Sequence, residues 1–384
     1  MTIDETVENT QRIGGELLAA MLAAEGVSRV FGIIDGTYLG LYTAFEKYGL
    51  ELISPRHESS AAHMAGAYAR SSGKLGVCMA STGPGVANIL PGVAVETGEG
   101  NLVLLRNSCR RTGISYPERG GTFQYFDQVG VTAPMTKWSQ TVHSPDRLPE
   151  LARQAFSAAW QGRPGVVHLD VPENIMNGAF PYPADVVREP ASYRSLQPMA
   201  VDPSQVEAAA ALLRDAAFPV IHAGSGIVHS QAAAQLAAVA EALSAPMTCS
   251  WGARGVLDES SPLAIPNSTM NAAKSARTRS DLFLVLGSRV GETDWWGRGH
   301  QWGGSQPAIP KRCIQVDIDG EIIGRNRPAD LAIVGDVKVF LDALLRALQE
   351  QPVADQTLVS RGAIVAELAA EKATSRAELD AALA

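Results

Sequence analysis

Short, unbroken apolar runs alternate with helix-like segments along most of the 384 residues, and this rhythm constrains the fold more than any other feature. Residues 14–25 read as a helix closed by Gly26, 30–34 as a buried strand, 37–47 as a helix and 50–54 as a strand. A helix over 58–70 follows, then strands at 75–80, 101–105 and 166–171. These strands are apolar on both faces instead of alternating. Such strands belong to a parallel sheet with helices on both sides, because the crossover connections place the helices there. The rhythm stops at a stretch containing Pro181, Pro183, Pro190 and Pro198, and restarts near residue 204. Helices at 204–215, 231–243 and 337–348 and strands at 219–222, 246–249, 282–286, 313–316 and 331–334 make a second set. The expected fold class is α/β, with two doubly wound parallel-sheet domains. The expected boundaries are a disordered N-terminus at 1–11, a first domain at 12–180, a linker at 181–203, a second domain at 204–350 and a helical C-terminal tail at 351–384.

Composition narrows the function classes. A 46% hydrophobic chain of this length can fill two cores. The net charge is -8 and no long basic run occurs, so neither nucleic acid nor membrane is an expected partner. No apolar run approaches the roughly 20 residues that span a bilayer, and the polar, acidic start does not resemble a signal peptide. The four cysteines are scattered without a C-x-x-C pair. That argues against a zinc site and a disulfide framework and for a reducing, cytoplasmic location.

Residues 55–70 carry the strongest chemical signal. Glu58 follows a strand and opens a helix lined by Ala61, Ala62, Ala65, Gly66, Ala67 and Ala69. Small residues on nearly every face mean close packing by neighbours. A carboxylate at the mouth of so tight a helix either compensates the helix dipole or does chemistry. The next strand runs into Ser81-Thr82-Gly83-Pro84-Gly85, with Asn88 in the first turn of the helix beyond. A Gly-Pro-Gly turn lets the backbone approach a flat ligand, at the strand end where open α/β sheets bind ligands.

Taken together, residues 56–88 resemble the pyrimidine-binding domain of thiamine diphosphate (ThDP)-dependent enzymes. That superfamily includes acetohydroxyacid synthases, benzoylformate decarboxylases, oxalyl-CoA decarboxylases and 2-hydroxyacyl-CoA lyases. Residues 29–36, 121–130 and 162–172 extend the likeness, and 219–226, 285–289 and 316–326 resemble the superfamily's middle domain. The resemblance implies that Glu58 hydrogen-bonds N1′ of the cofactor aminopyrimidine and so drives removal of the thiazolium C2 proton, leaving the ring to act as electron sink. It implies further cofactor contacts from Ile34, Thr82, Gly83, Pro84 and Asn88. Asp35, Gly36, Thr37, Phe123 and Gln124 are the expected substrate-side residues. Relatives often carry Pro-Gly where this chain has Ile34-Asp35, so Asp35 is either an extra acid–base group or a turn residue. Gly224, Ser225, Gly226 and Arg289 form a possible nucleotide site for FAD or an ADP or CoA moiety.

Members of the superfamily hold Mg²⁺ and the diphosphate through a Gly-Asp-Gly motif, and none occurs in the 384 residues. No residue of this chain is therefore expected to bind metal. Three explanations stand: a separate subunit supplies that domain, the sequence is a truncated piece, or the chain is a non-catalytic, nucleotide-binding regulatory subunit. The reading adopted is the first. It expects a subunit of a heteromeric ThDP-dependent lyase, carboligase or decarboxylase acting on a 2-keto acid or 2-hydroxyacyl-CoA. The partner would carry Gly-Asp-Gly and Mg²⁺ in about 20 kDa, within an α2β2 or larger assembly. A simple NAD-binding protein is disfavoured by the lack of G-x-G-x-x-G after the first strand. Arg106, Arg110, Arg111 and Arg119 either bind a carboxylate or phosphate or form a solvated loop. Trp295, Trp296 and Trp302 form an interface or cover the linker.

Overall fold

A computed structural model describes residues 9–115, 117–267, 269–294 and 311–383; Trp295, Trp296 and Trp302 lie outside them. The chain divides between Leu196 and Gln197 into two units. The first contains β1 (Asn9–Ile13), β2 (Arg29–Gly32), β3 (Glu51–Ile53), β4 (Gly76–Met79), β5 (Val103–Cys109), β6 (Trp138–Thr141), β7 (Val166–Pro172) and β8 (Ala179–Pro183). Six of these form a sheet in the order β3-β2-β4-β5-β7-β6, and all its pairings are parallel.

Alternate side chains of each central strand enter different cores, as the two-residue pleat requires. Val77, Leu104, Val167 and Leu169 join one core with the Gly14–Ala24 and Leu148–Trp160 helices. Cys78, Val103, Leu105 and Val166 join the other, under the Glu58–Ser72 helix and the Pro84–Glu99 helix. The fold is thus doubly wound, as the apolar runs imply.

Some local expectations need correction. Residues 9–11, read as disordered, belong to β1, which pairs antiparallel with β8. Strand β1 is mostly exposed, so no hydrophobic pattern announces it. Residues 181–183, assigned to the linker, lie in the partner strand for the same reason. The single helix expected at 37–47 is broken into a 3₁₀ turn (Gly36–Tyr38), a short helix (Leu39–Tyr42) and a second 3₁₀ turn (Glu46–Tyr48). Gly36, Thr37, Gly40 and Thr43 are poor helix formers, and a side chain at Gly40 would strike the Met176 carbonyl.

The second unit holds β9 (Pro219–Ala223), β10 (Met247–Cys249), β11 (Leu282–Leu286), β12 (Arg312–Asp317) and β13 (Leu331–Val334). They form a parallel sheet in the order β10-β9-β11-β12-β13. The Pro203–Asp215, Ala233–Leu243 and Val337–Glu350 helices cover one face. The segment read as a tail forms the Asp355–Leu383 helix, and its Val365 and Leu368 pack with Phe218, Ala272 and Phe283 on the other face. Arg361, fully buried, anchors it. Its Nη1 donates to Leu243 O at 2.9 Å and its Nη2 to Leu213 O at 2.8 Å and Ala216 O at 2.6 Å. One guanidinium therefore satisfies the orphan carbonyls that end two helices. Among the described residues no helix is long and apolar enough to cross a membrane.

Candidate active site

Strand order places the site. From β2 the chain crosses to β3 on one side and later to β4 on the other, so the sheet has a topological switch point between β2 and β4. Connections leave the two strand ends in opposite directions there and open a crevice. Gly32 and Met79 are paired at that end, and a Cβ on Gly32 would lie 2.6 Å from Met79 O. Only glycine lets the two strands emerge so close together.

Two loops leave this crevice, and Asp35 joins them. Its Oδ1 accepts from Thr37 N at 2.8 Å and from the Thr37 hydroxyl. Its Oδ2 accepts from Ser81 Oγ at 2.8 Å and Thr82 N at 3.1 Å. Burial works to raise the Asp35 carboxyl, but these four donors outweigh it and hold the group below the usual carboxylate range. Of the two roles open to Asp35, the geometry shows the turn: the carboxylate caps the Gly36–Tyr38 turn and clamps it to the Ser81–Thr82 loop. Thr37 is buried beneath the clamp, Ile34 packs against the first core, and Gly36 faces open space.

Glu58 opens its helix behind the N-cap His57, whose Nδ1 accepts from Ser59 N at 3.2 Å. The side chain is 9% exposed. Asn88 Nδ2 donates to Glu58 Oε2 at 3.2 Å, and Oε1 takes no hydrogen bond from the described residues. Oε1 lies over Gly85, where an added Cβ would come within 3.1 Å of it and within 2.9 Å of Ser81 Cβ. An accessible carboxylate oxygen without a donor, on a residue otherwise largely buried and beside a position that only hydrogen can occupy, can receive a planar ligand carrying an N–H.

The turn before Gly85 is held from behind. Gly83 has a φ of 67°, and Gln124 O would lie 2.2 Å from a Cβ there. Gln128 Oε1 accepts from Gly83 N at 2.9 Å and Thr82 Oγ1 at 3.4 Å. Its Nε2 donates to Asp170 Oδ1 at 3.0 Å and Ser108 O at 3.1 Å. One buried amide thus ties the Thr82–Gly83 turn to β5 and β7. Gln128 is absent from the expected site residues; its signal was a second glutamine four residues after Gln124. Ser81 and Tyr38 are likewise absent from the expected site residues, although Ser81 stands in the Ser81-Thr82-Gly83-Pro84-Gly85 run. Pro84 begins the helix and is exposed, and Phe123 is 70% exposed near the turn, not packed in a core.

The arginines do not converge. Arg106 is wholly buried beneath Tyr38, Arg110 pairs with Glu173 at 3.3 Å, and Arg111 and Arg119 stay on an exposed loop. The second sheet also has a switch point, between β9 and β11. Gly224, Ser225 and Gly226 follow β9 there, but Gly224 N donates to Leu286 O at 2.8 Å and Gly226 N to Gly287 O at 3.1 Å. A Cβ at Gly224 would lie 2.1 Å from Gly287 O. These glycines serve the packing of two loops. Arg289 instead lines a separate cavity of ≈ 350 Å³ with Gly291, Glu292, Thr293, Ile322, Arg325 and Asn326.

Comparison with known proteins agrees with this geometry. The family model for the thiamine pyrophosphate enzyme N-terminal TPP binding domain matches residues 12–131, and the central-domain model matches residues 206–344. A probable acetolactate synthase large subunit of Methanocaldococcus jannaschii is 34% identical over 345 residues, covering 87% of this chain and 56% of that protein. The acetolactate synthase of Arthrospira platensis is 32% identical over 347 residues, covering 87% of the chain and 58% of the relative. That of Mycobacterium leprae is 32% identical over 360 residues, covering 91% and 55%. The chain spans a little over half the length of these relatives. Two matched domain models in the family's order, on two doubly wound sheets with a carboxylate at the first switch point, lead to one conclusion: the chain belongs to the thiamine pyrophosphate enzyme family.

Proposed function

We propose that this chain supplies the pyrimidine-binding half of a ThDP active site and acts in making or breaking a C–C bond next to a carbonyl. The observation that carries this reading is Glu58 Oε1, an accessible oxygen without a donor on a largely buried residue, lying beside Gly85. When bound, ThDP supplies a carbon nucleophile and an electron sink. Glu58 Oε1 would hold the proton shared with N1′ of the aminopyrimidine, while Asn88 fixes Oε2 and so the plane of the carboxylate. Gly85 leaves room for the flat ring beside Glu58, Gly83 lets the Gln124 backbone pack behind the turn, and the Asp35 and Gln128 clamps keep that turn from shifting. In this reading Ile34 would contact the cofactor, and a carbonyl substrate would approach from the side of Gly36, Thr37 and the exposed Phe123 and Gln124.

The diphosphate and Mg²⁺, in this reading, are held by a second subunit of about 20 kDa carrying Gly-Asp-Gly. The outer faces of the two packed helices beside Glu58 support a protein partner. They expose Met64, Ala67, Ala87, Pro91, Ala94 and Val95 and are nearly free of charge. Donors would be 2-keto acids or 2-hydroxyacyl-CoA thioesters, in a hetero-oligomer such as α2β2. The four buried free thiols fit a reducing cytoplasm.

Coexpression with the Gly-Asp-Gly partner and assay of acetolactate formation and of 2-hydroxyacyl-CoA cleavage tests the reading. Glu58→Gln keeps the shape but not the proton, and should lower turnover about 10²- to 10⁴-fold. Near-wild-type turnover in that variant would refute the assignment.

The cavity at Arg289, Arg325 and Asn326 favours a second reading, a regulatory subunit that binds FAD, ADP or a CoA moiety. Calorimetry separates the two: a regulator binds nucleotide, and shows no ThDP binding that depends on Glu58 in the presence of the partner.

A further inference from the structure

Beneath the Ser81–Gly85 turn the core under the Glu58–Ser72 helix changes from apolar to polar. Val103, Leu105 and Val166 fill it from β5 and β7. The residues that follow on the same face of those strands are Asn107 on β5 and His168 and Asp170 on β7. Gln128 and Thr132, from the short Gln128–Thr132 helix, join them. All five are buried. Polar groups in a core cost stability unless they are fully paired, and methyl groups would fill the same space without that demand. Their pairing shows what the layer does.

The hydrogen bonds run in two chains, and both end on the turn. In the first, Ala80 N donates to Asn107 Oδ1 at 3.3 Å, and Asn107 Nδ2 lies 3.4 Å from His168 Nε2. His168 Nδ1 lies 2.7 Å from Thr132 Oγ1, which donates to Val129 O at 3.2 Å. Burial keeps the imidazole neutral, pushed down to about 3. One arrangement of protons satisfies every member: the ring proton sits on Nδ1, and each group donates to the next.

In the second chain, Gly83 N donates to Gln128 Oε1, and Gln128 Nε2 donates to Asp170 Oδ1 and Ser108 O. Burial raises the Asp170 carboxyl only to about 6, so it is ionised at neutral pH. A carboxylate and a carbonyl only accept, and a backbone N–H only donates. The Gln128 amide therefore has one sense. Turned over, it would set N–H against N–H at Gly83 and oxygen against oxygen at Asp170 and Ser108. With Thr82 N held by Asp35, the backbone N–H groups of Ala80, Thr82 and Gly83 each go to a side chain from another element. The position of the turn is thus set from the core beneath it. Gly85, which must leave space beside Glu58 Oε1, stands two residues beyond Gly83.

We propose that Gln128 and Asp170 are positioning residues for the cofactor: Asp170 fixes the sense of the Gln128 amide, and the amide fixes the turn against which the aminopyrimidine lies. The inference rests on the ThDP reading of Glu58. Gln128→Glu isolates the junction. The new carboxyl still accepts from Gly83 N, but its other oxygen stands against Asp170 and Ser108 O. Two carboxyls so close hold one charge between them and share a proton. With that proton the chain is whole; without it repulsion pushes the turn away. The other groups around the junction are the Cys109 thiol against Asp170, the neutral His168 beside it, Arg106 on the far face of the sheet and Asp127 at the start of the Gln128–Thr132 helix.

Amide exchange at Thr82 and Gly83 in the full chain without ThDP, corrected for intrinsic rates, reads the turn directly. In Gln128→Glu it should match wild type at pH 6 and be about tenfold faster at pH 9. In the complex with the Gly-Asp-Gly partner, half-saturation by ThDP should rise about tenfold over the same range, with kcat at saturation changed less than about twofold. Adding Asp170→Asn should remove the pH step from both measurements. Gln128→Leu should speed exchange at every pH. A Gln128→Glu response that is the same at both pH values makes the residue merely structural and overturns the proposal. Wild-type exchange in Gln128→Leu overturns it as well, and leaves the Glu58 reading intact where Glu58→Gln still abolishes turnover. Failure of the ThDP reading looks different: Glu58→Gln keeps near-wild-type turnover, and the Gln128 variants alter exchange without moving half-saturation by ThDP, which overturns the positioning role.

Discussion

His168 and Asp170 should give the first unit two opposing pH dependences that hide each other. Both project from β7 into the same buried layer. Burial, aided by the charge of Arg106, pushes the His168 imidazole down to about 3 from an ordinary value of 6.5. Thr132 Oγ1 lies 2.7 Å from its Nδ1 and Asn107 Nδ2 lies 3.4 Å from its Nε2, which suits a neutral ring. Burial raises the Asp170 carboxyl to about 6 from 3.8, although Cys109, Gln128 and Arg106 pull it the other way. The His168 pKa is depressed on folding. Its stability contribution is therefore present above 6.5 and lost as pH falls toward about 3. The Asp170 pKa is raised on folding. Its contribution is present below 3.8 and lost as pH rises through about 6. Between roughly pH 4 and 6 the two slopes cancel, each being about 1.4 kcal/mol per pH unit for one proton. His168→Gln should therefore lose about 3 kcal/mol relative to wild type as pH rises across that window, and Asp170→Asn should gain about as much. The double replacement should run parallel to wild type. Native-state hydrogen exchange of β5 and β7 amides, corrected for intrinsic rates, reads the opening free energy directly. Slopes of the same sign in the two single variants, or no departure from wild type, would refute the reasoning.

Other expectations follow from single contacts. Asp35→Ala strips four donors of their acceptor and frees the Gly36–Tyr38 turn from the Ser81–Thr82 loop; it should cost about 2 kcal/mol in urea unfolding of the first unit and speed proteolysis at that loop. Arg361→Met leaves the carbonyl ends of two helices without a partner and should cost about 3 kcal/mol, read as faster exchange in the Pro203–Asp215 and Ala233–Leu243 helices. Unchanged exchange there would show that apolar packing alone holds the C-terminal helix.

The apolar runs at residues 101–105 and 166–171 foretold β5 and β7, because a strand buried on both faces must be apolar along its whole length. Strand β1 was invisible for the opposite reason: its exposed residues are placed by pairing with β8, some 170 residues away. The Asp355–Leu383 helix was legible as a helix but not as a wall of the second core. Only Val365 and Leu368 among its apolar residues are buried, and Arg361 docks it by charge.

The sequence by itself determined the βα rhythm, the two parallel sheets and the carboxylate at a helix mouth followed by a Gly-Pro-Gly turn. These are local facts, set by periodicity and by residues with few allowed conformations. The tertiary structure decided what those residues touch. It turned Asp35 from a candidate acid–base group into a clamp, gave Gln128 its place behind Gly83, and drew Arg106 out of the loop cluster into the core. It also left Glu58 with one oxygen held by Asn88 and the other free. A side chain's partners come from strands distant in the chain, so pattern along the sequence cannot specify them; packing of the sheet does.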